Sequence, residues 1–228
     1  MLHRNSQKRY VIEGAIYFIT TNTHDRIEYF NEDILCDLFI EDLRLTQVLK
    51  HFNIFSYKIN PQHIHVMIQP KGNVTYFEIM RSLKTNFSRN ANRVMGYDPN
   101  FPPHATLPDA NVGSLYHAKA GSLYHAKAGS RDPAFNPMEY SHRIDAYRQR
   151  LIAAHGIDSP YPKFKWQSSY HDHIIRNRRD FMAHVNYIKR QWRKHKLSAN
   201  KYCYIDNDLC SLAFHQIGER LNTYNVAG

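Results

Sequence analysis

Two histidines separated by one residue, His63 and His65, form the sharpest chemical motif of this 228-residue sequence. In a strand, residues two apart share a face, so both imidazoles point the same way while Ile64 points to the other side. Two neutral imidazoles on one face can hold a divalent metal ion. Because the chain has 15 histidines, two exposed strand histidines without a ligand remain the plainer interpretation, and a second feature is needed.

That second feature is a tyrosine and a glutamine, Tyr187 and Gln191, in a segment with helical periodicity over about 179–196. The two side chains lie one turn apart, about 40° from each other around the helix. A phenol and a carboxamide in this position can serve a cleft between the helix and a sheet; surface residues without a task are the alternative. Apolar residues spaced four, three and four predict the buried stripe beside them: Phe181, Val185, Ile188 and Trp192.

The elements that must position these residues can be read from periodicity. A β-branched and aromatic run predicts a first strand at 15–23, and helical spacing predicts a helix at 33–52. The remaining predictions are strands at 53–60 and 63–69, a helix at 74–94, a short helix at 140–155 and a strand region at 164–177. This order predicts an α+β fold, a ferredoxin-like split βαβ sandwich with an antiparallel sheet, a long insertion before the last strand and a terminal helix.

The insertion differs in composition from the rest of the chain. Residues 98–162 are rich in Pro, Gly, Ser, Asn and His, and contain the tandem repeat GSLYHAKA at 113–120 and 121–128. An identical pair of copies indicates a recent duplication in a tolerant loop. We therefore expect a single domain over 1–228, with a core of about 10–97 and 163–197, this insertion, and a tail at 198–228.

Composition narrows the class of partner. The chain carries 30 Lys and Arg against 20 Asp and Glu, a formal charge of +10, with a pI of about 9.5. Such a balance favours a polyanionic partner, most often nucleic acid. The three cysteines form no CxxC motif and leave an odd thiol, which argues against a disulfide scaffold and favours a reducing cytoplasm. No apolar run of about 18 residues occurs, so we expect no signal peptide and no membrane span.

The combination resembles the single-tyrosine HUH transposases, which include the enzymes of small insertion sequences and the REP-associated tyrosine transposases. HUH denotes His-hydrophobic-His, the pattern of His63 and His65, and a helical tyrosine follows downstream. About 150 residues are covered by the resemblance. The stretches that carry it are NPQHIHVMIQP (60–70), IMRSLKTNFSRNANR (79–93) and WQSSYHDHIIRNRRDFMAHVNYI (166–188).

The resemblance implies a reaction and a site. Tyr187 would be the nucleophile that forms a 5′-phosphotyrosine, and His63, His65 and Gln191 would hold one divalent ion, Mg²⁺ or Mn²⁺. The metal and Lys189 or Arg190 would help the phenol lose its proton. The implied substrate is single-stranded DNA with hairpin or palindromic ends, and relatives imply a homodimer. The expected phosphate contacts are Arg81, Lys84, Arg89, Arg93, Arg176, Lys189, Arg190 and Arg193. For several of these residues, a solvated helix face is the alternative interpretation.

Some features of the sequence keep other interpretations open. REP-associated members continue with Asn-Pro after the tyrosine, whereas this chain reads YIKRQWRKHK, which favours the insertion-sequence branch. One alternative is a catalytically impaired or domesticated relative that only binds DNA. A second is an RNA-recognition module, although that would have an aromatic motif where this chain has HIHVMIQP. A third is an HUH replication initiator or relaxase. The expected location is the bacterial cytoplasm, at the nucleoid during action.

Overall fold

The computed structural model describes residues 10–98 and 137–225. The GSLYHAKA repeat lies outside these residues. Two short 3₁₀ turns, His24–Arg26 and Tyr29–Asn31, follow the first strand. The strands and helices are, in order, β1 Tyr17–Thr23, α1 Asp33–Lys50, β2 Phe52–Asn60, β3 His63–Pro70, α2 Tyr76–Val94, α3 Pro137–His155, β4 Trp166–Ile174, α4 Arg178–Lys194, β5 Cys203–Ile205 and α5 Asn207–Asn225.

The five strands form one antiparallel sheet in the order β4-β1-β3-β2-β5. The α+β class is confirmed. β3 lies between β1 and β2, and the register places His65 opposite Thr20 on one side and Lys58 on the other. The short strand β5 and the helix α5 fall in the tail, for which the sequence predicted no element.

Helices cover both faces of this sheet. Neighbouring residues of β1 point to opposite faces, and Tyr17 stacks on Tyr76 of α2 with ring centroids 4.2 Å apart. On the other face, Phe18 and Met67 belong to a buried cluster with Phe181, Val185 and Ile188 of α4. Since His65 alternates with Ile64 and Val66 along β3, it lies on the face that α4 covers.

The helix α4 begins at a well-defined cap. The side chain of Asn177 accepts a hydrogen bond of 2.9 Å from the backbone N–H of Asp180, which satisfies one of the free donors of the first turn. The prediction of the buried stripe is correct for Phe181, Val185 and Ile188. It is wrong for the fourth residue, Trp192, because Gln191 is buried in its place. The reason is that the Gln191 side chain lies against His65, a buried polar residue of β3. Trp192 is half-buried, and the Arg193 guanidinium lies 5.3 Å from its ring centroid.

The described residues divide into two compact units, one up to Ser88 and again from Phe164, the other from Arg89 to Lys163. Within the second unit, Arg148 is buried and its Nη1 donates to the carbonyl oxygens of Arg93 and Val94, at 3.0 and 3.3 Å. Gly96 has φ +84°, and a Cβ there would lie 2.7 Å from Arg148 Nη1. A side chain at position 96 would thus displace the group that satisfies the end of α2.

Candidate functional site

His63 and His65 lie side by side on β3, with their Nε2 atoms 3.1 Å apart. The side-chain amide of Asn60 donates to His63 Nε2 at 3.1 Å, so this nitrogen carries a lone pair. Thr20 Oγ1 lies 2.8 Å from His65 Nδ1. In the tautomer that donates its Nδ1 proton to this hydroxyl, His65 has its lone pair at Nε2 as well. Two imidazole lone pairs then face the same small volume.

Both imidazoles are held in the neutral form. Burial lowers the pKa of His63 to about 4, and the positive charges of His195, Lys194 and Arg26 act in the same direction. Burial also lowers the pKa of His65 to about 3; His63 adds to this effect, whereas the Gln191 side chain opposes it. At neutral pH the two histidines are therefore uncharged, which is the form that ligates metals.

The helix α4 brings Tyr187 and Gln191 to this pair. The Tyr187 ring stands edge-on to the His65 ring with centroids 5.1 Å apart, and its side chain is 37% exposed. The Lys194 ammonium lies 5.6 Å from the Tyr187 ring centroid. Gln191 is only 2% exposed, and its Oε1 has no hydrogen bond of standard geometry. All four residues expected from the sequence therefore meet within one chain, and we call them the His63–His65 site.

The residues of this site fit a divalent ion. Adjacent ligands of an octahedral ion stand at right angles and, with bonds of about 2.1 Å, lie about 3.0 Å apart, close to the 3.1 Å between the two Nε2 atoms. A buried carboxamide oxygen without a hydrogen bond is costly unless it has another partner, and a cation would provide one. Imidazole nitrogen together with amide oxygen suits Mn²⁺ and its neighbours, and also tolerates Mg²⁺.

Sequence reasoning missed three neighbours of the pair: Thr20, Asn60 and His195. The His195 ring lies 4.8 Å from the His63 ring, and its Nε2 is buried without a hydrogen bond among the described residues. A signal for His195 existed, because it follows Gln191 by four residues and so shares its helix face. Thr20 had no local signal, since its role depends on the pairing of β1 with β3.

The eight residues expected to contact phosphate differ in exposure and in their partners within the protein. Lys84 donates to the carbonyl oxygen of Gln167 at 2.9 Å, and its ammonium lies 5.9 Å from the Trp166 ring centroid. Arg93 pairs with Asp98 at 2.9 Å. Lys84 and Arg93 are half-buried, whereas six side chains are exposed to solvent: Arg81, Arg89, Arg176, Lys189, Arg190 and Arg193. The cation that contacts the Tyr187 ring is Lys194, which had not been expected.

No membrane-spanning candidate exists among the helices of the described ranges, since none is both long and apolar enough.

The family described as "Transposase IS200 like" matches residues 12–97. This segment runs from before β1 to the end of α2 and contains His63 and His65. The resemblance to this family is confirmed there, while Tyr187 and Gln191 lie outside the matched segment. No protein of curated function matches the chain in sequence.

Two solved structures are similar to the chain at low identity. One is described as a REP-associated tyrosine transposase bound to a REP hairpin; it is 17% identical, with a TM-score of 0.45, and the match covers 84% of this chain and 74% of that one. The other is a Deinococcus radiodurans protein named as a candidate transposase, 12% identical, with a TM-score of 0.33 and coverage of 55% and 100%.

Proposed function

We propose that this chain, which is similar to the IS200-like transposases over residues 12–97, nicks and rejoins single-stranded, hairpin-bearing DNA by tyrosine transesterification. The observation that carries the proposal is the placement of Tyr187 beside His65. A half-exposed phenol stands edge-on to the buried, neutral His65, at a ring distance of 5.1 Å and in the same chain, with His63 beside it. A nucleophile that is open to solvent and adjacent to metal-binding groups is what strand cleavage of this type requires.

In the proposed reaction, Tyr187 Oη attacks the scissile phosphorus. A bond forms between this oxygen and phosphorus, the bond from phosphorus to the 3′-oxygen breaks, and the departing oxygen takes up a proton as a 3′-OH. The phenol proton passes to solvent or to a nearby base. Because one phosphodiester replaces another, the reaction conserves the energy that rejoining needs. The Lys194 ammonium, 5.6 Å from the Tyr187 ring centroid, places a positive charge on this side of α4, where a phosphate would approach.

His63, His65 and Gln191 are the residues that would hold the ion. A divalent cation in this position supplies Lewis-acid stabilisation of the negative charge on the reacting phosphate. The protein's own contribution is to keep the two imidazoles neutral through burial and to orient His65 by Thr20. The exposed basic residues supply phosphate affinity for the flanking strand, with Arg176, Lys189, Arg190 and Arg193 on or beside α4.

A covalent-adduct assay tests the nucleophile. The protein is incubated with Mn²⁺ and single-stranded hairpins taken from the DNA that flanks its gene, and a denaturing gel reveals a protein–DNA adduct. We expect an adduct with the wild type and with the control Tyr10→Phe, which removes another exposed phenol. Tyr187→Phe should give none. Persistence of the adduct in Tyr187→Phe would refute the nucleophile, and its absence from the wild type on every hairpin would favour a protein that only binds DNA.

A second assay separates metal-dependent cleavage from DNA binding. His63→Ala should abolish cleavage and leave hairpin binding measurable, whereas His142→Ala, which removes an exposed histidine elsewhere, should leave both unchanged. Normal cleavage by His63→Ala would show that the histidine pair has no part in the reaction.

A further inference from the structure

A second group of metal-ligating side chains lies at the beginning of α4. His173 is on β4, Asp180 is in the first turn of α4, and His184 follows one turn later. His173 Nε2 lies 2.9 Å from Asp180 Oδ2 and 3.1 Å from Oδ1, and His184 Nδ1 lies 3.1 Å from the same Oδ1. We call these three residues the Asp180 cluster. None of them belongs to the His63–His65 site.

We propose that the Asp180 cluster is a second divalent-cation site, of the class that Zn²⁺ and neighbouring first-row ions occupy. Asp180 Oδ1 stands 3.1 Å from one nitrogen of each imidazole. Ligand atoms of a tetrahedral Zn²⁺ ion with bonds of about 2.0–2.1 Å lie about 3.4 Å apart, so both separations need to widen by only about 0.3 Å to hold a shared ion. One ligand atom from each of the three residues lies within 4.8 Å of the others. Two imidazoles and one carboxylate are a frequent ligand set for such ions.

The carboxylate is already oriented for this task. Its Oδ2 accepts a hydrogen bond of 3.0 Å from the backbone N–H of Arg176, and the backbone N–H of Asp180 donates to Asn177 Oδ1 at 2.9 Å. These bonds fix the direction of the side chain and leave Oδ1 turned toward both histidines. Hydrogen bonds of this kind, made by the groups around a ligand, raise metal affinity by holding the ligand in place.

The cluster is also accessible to an ion. The His173 and His184 side chains are 41% and 21% exposed. Their rings are nearly parallel, with centroids 4.7 Å apart and an angle of 21° between planes, so one ring must turn to aim its lone pair at a shared ion. His173, the more exposed of the two, has the space to turn. Without an ion, the two imidazoles share protons with the Asp180 carboxylate, and His184 Nδ1 also lies 2.9 Å from the backbone oxygen of Asp180. A bound ion would take the place of the protons between the carboxylate and the imidazoles.

Such a site would join β4 to α4, the helix that carries Tyr187 and Gln191. His173 is directly opposite Phe18 in the register of β4 with β1, and Phe18 lies under both His184 and Tyr187, at ring distances of 4.5 and 5.9 Å. An ion at the cluster would tie the first turns of α4 to β4 and hold the tyrosine helix against the sheet. Binding of the ion does not require Tyr187 to act as a nucleophile, so the inference stands apart from the proposed function.

Zinc binding by the full-length chain tests the inference. The background variant is His63→Ala/His65→Ala, which removes the other histidine pair. Metal-free protein is dialysed against Zn²⁺, and the bound zinc is measured by elemental analysis together with the zinc-dependent rise in melting temperature. In this background we expect Asp180→Asn and His173→Ala each to lose about one equivalent of zinc per chain, together with most of the melting shift.

The matched control is His171→Ala in the same background, because His171 is an exposed histidine on the same strand, two residues from His173. It should retain both the zinc and the shift. Should Asp180→Asn fail to fold, His173→Ala, a change at a surface-accessible position, decides the question. Equal zinc binding by the background, His173→Ala and His171→Ala would overturn the proposal, whatever the outcome of the cleavage assays.

Discussion

Two pairs of histidines lie on the same side of the sheet but differ in burial and in their charged neighbours. His65 is buried and His63 is half-buried, their Nε2 atoms lie 3.1 Å apart, and the described residues place no carboxylate between them. His173 and His184 lie nearer to solvent and share the carboxylate of Asp180. The same residue type can therefore be kept neutral by burial at one place and paired with a negative charge at another.

The pKa values express this difference. Burial lowers the pKa of both His63 and His65, and each is further lowered by positive groups around it. Burial by itself would raise the pKa of Asp180, but the Arg176 N–H and the two histidines outweigh it and lower the value. Beside the first pair, the buried Oε1 of Gln191 has no hydrogen bond of standard geometry, whereas the second pair is held together by its own hydrogen bonds to Asp180.

The largest expected effect separates the two pairs by their role in cleavage. His65→Ala removes a proposed ligand and should lower the rate of strand cleavage by more than about a hundredfold, beyond what loss of a supporting hydrogen bond costs a metal site. His184→Ala should retain cleavage within about tenfold, because it alters the support of α4 rather than the reacting groups. Single-turnover cleavage of hairpin DNA measures both. Equal losses would remove the functional distinction between the pairs.

Acid should affect the buried pair in a defined direction. In the unfolded chain these histidines titrate near 6.5, whereas in the folded chain the values are about 4 for His63 and about 3 for His65. Between these limits the unfolded state binds more protons, so stability falls as the pH falls. The melting temperatures of the wild type and of His65→Gln are measured with a chelator present. The value for the wild type minus the value for His65→Gln should decrease from pH 7 to pH 4. A constant difference would contradict burial of neutral imidazoles.

The carboxylate should matter for stability without any metal. Asp180→Asn weakens charge-assisted hydrogen bonds to His173 and to the Arg176 N–H, and should lower the free energy of unfolding by about 1–3 kcal/mol in the presence of a chelator. Urea denaturation measures the change. The control is Asp208→Asn, at an exposed acidic residue in the first turn of α5, which should change stability by less than about 0.5 kcal/mol. An unchanged free energy of unfolding in Asp180→Asn would mean that the cluster does not anchor α4.

The smallest effect concerns the cap that aligns the cluster. Asn177→Ala removes the side-chain acceptor of the Asp180 N–H and should cost about 1 kcal/mol. Asn186→Ala, at an exposed position within α4, should be neutral or slightly stabilising, because alanine has the higher helix propensity. Thermal denaturation of the two variants side by side tests whether the cap, rather than asparagine content, supports the helix.

Much of the core could be predicted from the sequence because its elements are long and periodic. The short strand β5 could not, since three residues give no period and it forms only through pairing with β2 about 150 residues earlier. His63, His65, Tyr187 and Gln191 could be named together from the sequence because their combination resembles the HUH transposases. Their partners Thr20 and Asn60 were not, because strand register, which is a long-range property, determines what a strand residue faces. The burial of Gln191 instead of Trp192 likewise depends on the polar side chain that α4 meets.

The order of the site residues along the chain bears on synthesis. The histidine pair is translated early, on β3, whereas the tyrosine comes more than a hundred residues later, on α4. Domains fold as they emerge from the ribosome, N-terminal parts first. A nascent chain that has completed β3 therefore holds the two histidines with no phenol beside them, and the proposed cleavage site is complete only when α4 has been made and has docked on the sheet.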